Sequence, residues 1–314
     1  MTAQADTRPK VLSIPATRPM GLLLAAATAT ISGVSVFLNA TAVKHVPDAA
    51  VFTTLKNTGA VVVLLGLAWV AVKPAEVRAI GRRDMATLGL IGVLGGGLAF
   101  LLFFSGLAMA SAPSAAFIHK TMFVWVALMA GPFLAERLGW VPIAALGALL
   151  LGQAITLPPL GITWGAGETL IAAATLLWAV EVVLAKRVLG RIRSPIVGVA
   201  RLGIGLVVLV GFLVASGRIV GIVQLDLAGW AWVAATGLLL SGYVATWLAA
   251  LRRAPATEVT SILVLGAVIT GILTAVSRGM LPEPATGVGY ALVAIAVAGL
   301  TVAGSRRTPE PAVA

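Results

Sequence analysis

The chain has 314 residues, of which 60% are hydrophobic and only 11% charged, with a formal net charge of +11. So apolar a composition belongs in a bilayer and leaves no room for a soluble domain. The absence of cysteine excludes disulfides, thiolate catalysis and cysteine-ligated metals.

A membrane-spanning helix needs about 20 mostly apolar residues, and ten such stretches succeed one another with short polar breaks. They cover residues 20–42, 50–72, 85–108, 112–134, 139–157, 167–186, 195–215, 228–250, 255–276 and 285–304. The first is diluted by Thr28, Thr30, Ser32, Ser35, Asn39 and Thr41. The N-terminal eighteen residues are polar and contain proline, so no cleaved signal peptide is expected. The longest loop, Lys73 to Asp84, is too short to hold a folded domain.

The positive charge alternates from loop to loop. With a cytoplasmic N-terminus, the inner side receives Arg8, Lys10, Arg18, then Lys73, Arg78, Arg82, Arg83, then Arg137, then Lys186, Arg187, Arg191, Arg193, then Arg252, Arg253, and finally Arg306, Arg307. The outer loops hold only Lys44, Arg218 and Arg278. This is the positive-inside pattern of an even number of spans with both ends inside, so the charge reports orientation and no nucleic-acid partner is expected. Trp69, Trp140, Trp164, Trp230 and Trp232 fall near predicted span ends, where the indole N–H stays wet, whereas Trp125, Trp178 and Trp247 lie deeper.

The chain also repeats weakly. Ser105–Lys120 aligns without gaps on Trp247–Ile262, 142 positions later, so that Pro113 falls on Pro255 and Lys120 on Ile262. Lys44 falls on Lys186 at the same offset, and Leu55–Leu65 resembles Ala200–Val210 after a small gap. Each unit is then five helices. An odd number makes the second copy enter the membrane from the opposite side, which gives inverted repeats whose interface lies near the midplane.

The segments FFSGLAMASAPSAAF (Phe103–Phe117), AERLG (Ala135–Gly139) and LLWAVEVVLAKRVL (Leu176–Leu189) resemble the drug/metabolite transporter superfamily, specifically its ten-helix EamA-type members. The resemblance covers both halves. It implies an all-α membrane protein of ten transmembrane helices in two inverted five-helix repeats, N-in and C-in, which moves small metabolites. The expected layout is a cytoplasmic tail over 1–18, EamA-like repeats over 19–158 and 166–304, and a second tail over 305–314. In the second half SRGMLP (Ser277–Pro282) replaces the second Gly-Glu motif, so Glu136 has no symmetric partner and reads as an inner-interface anchor, paired with Arg137 or another loop cation.

Ionisable residues inside spans are costly and mark function by default. Glu181 and Arg201 lie at similar inner depth, so an ion pair between them would offset the cost of burying both. Their repeat-related positions are Asn39 and Lys56, which leaves an unbalanced cation in the outer half. Lys56 lies near the outer end of its span and can snorkel or contribute to a substrate site. Lys120 sits about 10 Å into span four from Pro113, with no acid at comparable depth. It either snorkels outward or faces the cavity between the repeats, where it would take an anionic group of the substrate. His119 points about 100° away on the helix and is either a packing residue or part of a proton relay. Glu258, at the inner mouth of span nine, is either a solvated helix-start acid or a coupling residue. Trp125, Trp178 and Trp247, with Phe104 and Tyr243, are expected to form an apolar wall that stacks a substrate or to pack against neighbouring helices. Gly92, Gly95, Gly96 and Gly97 read as a place of close helix approach or a flexible segment.

With two histidines and no acid pair or triad spacing, no catalytic constellation is legible, and no nucleotide-binding motif or cofactor site is expected. The leading expectation is a secondary transporter in a prokaryotic plasma membrane, moving an anionic or zwitterionic metabolite such as an amino acid, with protons as a candidate coupling ion. The alternative is efflux of lipophilic or cationic compounds, which an unpaired Lys120 would oppose. Oligomeric state is left open, because every exposed face is apolar.

Overall fold

The computed structural model describes residues 18–46, 48–136, 138–156, 164–222 and 225–305. The expected tails over 1–18 and 305–314 lie outside them apart from Arg18 and Ser305, as does Arg137.

Every regular element among the described residues is a helix. In chain order, α1 is Arg18–His45 and α2 is Ala49–Ala71. Helix α3 runs from Arg82–Leu90 through a π-helical segment, Ile91–Leu98, into Ala99–Leu107. Helix α4 is made of Ala112–Lys120 and Met122–Leu134, and α5 is Trp140–Ile155. The second half comprises α6 (Ala166–Leu189), α7 (Ser194–Ala215), α8 (Leu227–Arg253), α9 (Ala256–Ile262 and Leu265–Ser277) and α10 (Pro284–Ser305). Several starts are fixed by local chemistry. The Asp48 carboxylate accepts from the amides of Ala50 and Val51 at the head of α2, and Asp226 accepts from Gly229 at the head of α8.

Nine of these helices are long and apolar enough to cross a membrane. The exception is α5, whose 16 residues span about 24 Å against a hydrocarbon core of about 30 Å. The expectation of ten full-length spans is corrected to that extent. Yet Arg18 at the head of α1 donates to the Thr301 carbonyl near the end of α10 at 3.1 Å, so both ends of the described chain lie at the same end of the molecule. Only an even number of crossings does that, which nine helices cannot supply and which α5 would complete.

The packing obeys an exchange of helix n for helix n + 5. Helix α1 lies on α8, and α6 lies on α3; α2 packs on α8, and α7 packs on α3. Helix α1 also meets α9, as α6 meets α4, while α2–α7, α4–α9 and α5–α10 pair with their own counterparts. This is a two-repeat architecture. Its sharpest internal sign is a break shared by the two fourth helices. Helix α4 tightens at Thr121, where Val124 donates to the Thr121 carbonyl, and α9 tightens at Leu263, where Gly266 donates to the Leu263 carbonyl. These two residues stand 142 positions apart, the offset of the sequence repeat.

Candidate functional site

Three polar groupings stand out from the apolar bundle. The first is central. Arg201 of α7 holds Glu181 of α6 through both guanidinium arms, Nε to Oε1 and Nη2 to Oε2, with the second contact at 3.1 Å. Both residues are buried, at 5% and 1% exposure. The guanidinium carbon lies 5.3 Å from the ring centre of Trp247 and 5.9 Å from that of Phe100, a cation over two aromatic faces. Tyr243 stacks on Trp247 at 6.4 Å, and Nη1 of Arg201 has no hydrogen-bond partner among the described residues.

The glycine run of α3 makes this arrangement possible. A Cβ at Gly95 would overlap the Glu181 carboxylate, and one at Gly96 would overlap the Arg201 carbonyl oxygen, so α3 lies against α6 and α7 with no room for a methyl group. Within the π-helical segment Ile91–Leu98, the Gly95 carbonyl accepts the indole N–H of Trp178 of α6 at 3.0 Å. Trp178 then anchors a ring cluster in which Phe103 lies at 5.4 Å and the His119 imidazole at 4.9 Å. His119 is thus a packing partner of the aromatic cluster, with Nδ1 buried and unpartnered among the described residues.

The expected aromatic wall assembles only in part. Trp178 and Trp247 enter the centre with Tyr243, whereas Trp125 is 38% exposed on α4 and makes no ring contact among the described residues. The helix turn that carries His119 inward carries its neighbour elsewhere. Lys120 lines a separate cavity of about 170 Å³ between α4, α5, α9 and α10, with Gln153, Thr156, Thr286 and Tyr290. Lys56 joins neither group. It is buried at 7% exposure on α2, its ammonium 5.2 Å from the Phe52 ring. Among the described residues neither lysine has an ion-pair partner.

The third grouping fastens the end of the molecule where the described chain begins and ends. Glu136, in the turn after α4, accepts from the amides of Ala256 and Thr257 at 2.6 and 3.2 Å and from the Thr257 hydroxyl at 2.9 Å, capping α9 from 120 residues away. Among the described residues its hydrogen-bond partners are a helix N-terminus, and the Arg137 half of the expectation lies outside them. Lys186 donates to the carbonyls of Leu251 and Ala254 at 2.6 and 2.7 Å, closing the C-terminus of α8 beside it. Glu258 is no solvated acid: both its oxygens are held by Arg18 at 2.9 Å. Arg191 and Arg193 reach Asp84 and Glu76 in the same layer, and the Lys73 amide, with Arg193, holds the Glu76 carboxyl below its ordinary range. At the opposite end the described residues offer one ion pair, Arg218 to Asp48 at 3.8 Å. Replacing Glu136 by alanine should strip three donors at once and cost about 2 kcal/mol, the upper range for a lost cap; thermal unfolding in detergent reads it, and an unchanged Tm would refute the cap.

Gln153, Thr286 and Tyr290 are not among the residues that charge and aromatic pattern single out. A signal for the first was present, since Gln153 is the one amide or charged side chain in the α5 run WVPIAALGALLLGQAI.

Paired five-helix units with buried charges at their interfaces define a multi-pass helical membrane protein of the transporter kind. The profile of the EamA-like transporter family matches residues 19–157 and again residues 165–302, and the chain belongs to that family, within the drug/metabolite transporter superfamily. Its members are transporters and not enzymes. A solved structure titled "Crystal structure of protein" is similar in fold, with a TM-score of 0.73 at 18% identity over 90% of this chain and 98% of that one. Comparison with curated proteins gives no match.

Proposed function

We propose that this membrane transporter is a secondary carrier of a small anionic or zwitterionic metabolite, such as an amino acid, working by alternating access as an exporter or exchanger. The observation that carries the reading is an imbalance of charge. Arg201 is neutralised by Glu181, while Lys56 and Lys120 are cations without acidic partners among the described residues, and Lys120 borders a cavity. An unpaired ammonium among apolar helices is costly, and a carboxylate or phosphate arriving on the cargo offsets that cost. Cationic cargo gains nothing there.

The two repeats, 19–158 and 166–304, are read as inverted, with both termini in the cytoplasm of a prokaryotic cell and the fastened layer at the inner face of its plasma membrane. The basic residues of that layer support this orientation through the positive-inside rule. The Lys120 cavity then belongs to the outer half. Trp178, Trp247 and Tyr243 border the central interface and offer rings to the apolar part of a cargo. His119, Glu258 and the Glu181–Arg201 pair are the groups available for proton coupling or for holding the repeats together.

The test is a thermal-shift screen of purified protein in detergent against amino acids, organic acids, sugar phosphates and cationic compounds, run on the native chain and Lys120→Ala side by side. A ligand that binds the folded state stabilises it by mass action, by about 2.7 kcal/mol at a hundredfold excess over Kd, and so raises its melting temperature. Anions or amino acids should stabilise the native chain alone. Stabilisation of both forms by cationic or neutral hydrophobic compounds would replace this reading with drug efflux.

A further inference from the structure

The cavity beside Lys120 is more specific than a lone lysine. Gln153 is 6% exposed, lines the cavity, and carries an Nε2 amide with no hydrogen-bond partner among the described residues. Its own backbone carbonyl is taken, because the Thr156 hydroxyl donates to it at 2.8 Å. Thr286 and Tyr290 add two hydroxyls from α10, and the Tyr290 ring seats its oxygen against the α9 backbone at Gly271, where a Cβ could not fit. The remaining lining, Ala116, Phe117 and Ala267, is apolar, so no acid competes for the lysine. One fixed cation, one free amide and two hydroxyls make a donor set for an oxyanion.

The repeat provides an internal control. At the offset of 142, Lys120 corresponds to Ile262. The fold therefore tolerates an apolar residue at the repeat-related position, and the lysine is not required for packing. The volume also limits the ligand. About 170 Å³ is close to the cavity of about 150 Å³ that admits benzene in an engineered protein, which suits a small carboxylate or the head of a larger molecule.

We propose that Lys120 and Gln153 form an anion seat in which a carboxylate or phosphate lies across Nζ and Nε2, with Tyr290 closing the third side, and that Gln153 sets its selectivity. The assignment rests on the anionic-cargo reading and deepens it. A free carboxylate as cargo and the phosphate of an anionic lipid present the same chemistry to this seat. The seat takes either through the same donors.

The experiment compares native protein, Gln153→Leu, Gln153→Glu and Gln153→Glu/Lys120→Gln in lipid-stripped detergent, using L-glutamate, succinate, inorganic phosphate and phosphatidylglycerol as probes. Gln153→Leu should weaken the best probe about tenfold, the share expected for one hydrogen bond to a charged group. Gln153→Glu places an acid where the ligand's would sit, so it should raise the melting temperature without ligand and abolish the ligand-induced shift. Removing Lys120 in the double variant should cancel that rise. Stabilisation by phosphatidylglycerol alone supports the seat and assigns it to lipid. If no probe shifts the native protein, the cargo reading and the seat both fall. If soluble carboxylates shift native protein and Gln153→Leu equally, the cargo reading survives and the role of Gln153 is overturned. A fall in melting temperature for Gln153→Glu, unaffected by Lys120→Gln, would overturn the pairing.

Discussion

Replacing Glu181 by glutamine is expected to lower stability by about 3–5 kcal/mol, because the substitution leaves a buried guanidinium without its counter-charge. Arg201 is 5% exposed and one of its nitrogens already lacks a partner, so no route to solvent relieves it. The rings of Trp247 and Phe100 cushion the cation, but a quadrupole contributes only about 0.5–2 kcal/mol, well short of a carboxylate in a bidentate grip. The same reasoning predicts the rescue. Glu181→Gln combined with Arg201→Met removes both charges and should recover most of the loss, since an apolar replacement of a whole buried pair is often neutral. Unfolding of the four variants in detergent closes the cycle. Additive losses in the double variant would show that the two residues act independently and would refute the pair as the stabilising unit.

A second large loss is expected at Gly96. Its virtual Cβ falls on the carbonyl oxygen of Arg201, and the neighbouring atoms belong to the Gly205 backbone, so nothing flexible can move aside. Alanine there must push α3 off α7, and the ordinary cost of overpacking, about 1–3 kcal/mol, should be met or exceeded because α3 and α7 also position the Arg201 guanidinium. Gly89, earlier on α3, has nothing within 4 Å of its virtual Cβ and provides the control. There alanine should be neutral or stabilise by about 0.5–1 kcal/mol, the usual helix-propensity gain. Yield of monodisperse protein and Tm distinguish the two, and equal behaviour would sink the close-approach explanation.

The helices were legible because a bilayer demands about 20 apolar residues per crossing, and the alternation of arginine and lysine assigns successive loops to opposite ends. The rotation of each helix about its axis was not legible. In a soluble protein the polar face of a helix says which side is out; here both faces are apolar, so spacing alone shows that His119 and Lys120 diverge but not which one turns inward. The breaks at Thr121 and Leu263 carry no proline or glycine at the broken position, and arise where α4 and α9 pack together. Glu136 was recognisable as an anchor, but its partner lies 120 residues on and is a pair of backbone amides, which no charge pattern announces. The Glu181–Arg201 pair was within reach because depth along a span is simple arithmetic at 1.5 Å per residue. Gln153 carries no charge and so escapes a search for buried ions, although a lone amide in an apolar span is subject to the same desolvation cost in kind.

The two ends of the molecule are fastened unequally. Separating helices at the end that holds Arg18 and Thr301 means releasing Arg18 from Glu258 and Thr301, Glu136 from the head of α9, and Lys186 from the tail of α8, in one event. Among the described residues the far end gives up a single long ion pair. Under the alternating-access proposal the empty protein would dwell with its far mouth free, and the return of that empty form would be the slow limb of its cycle. Counterflow of labelled against unlabelled cargo should run faster than net movement down a gradient.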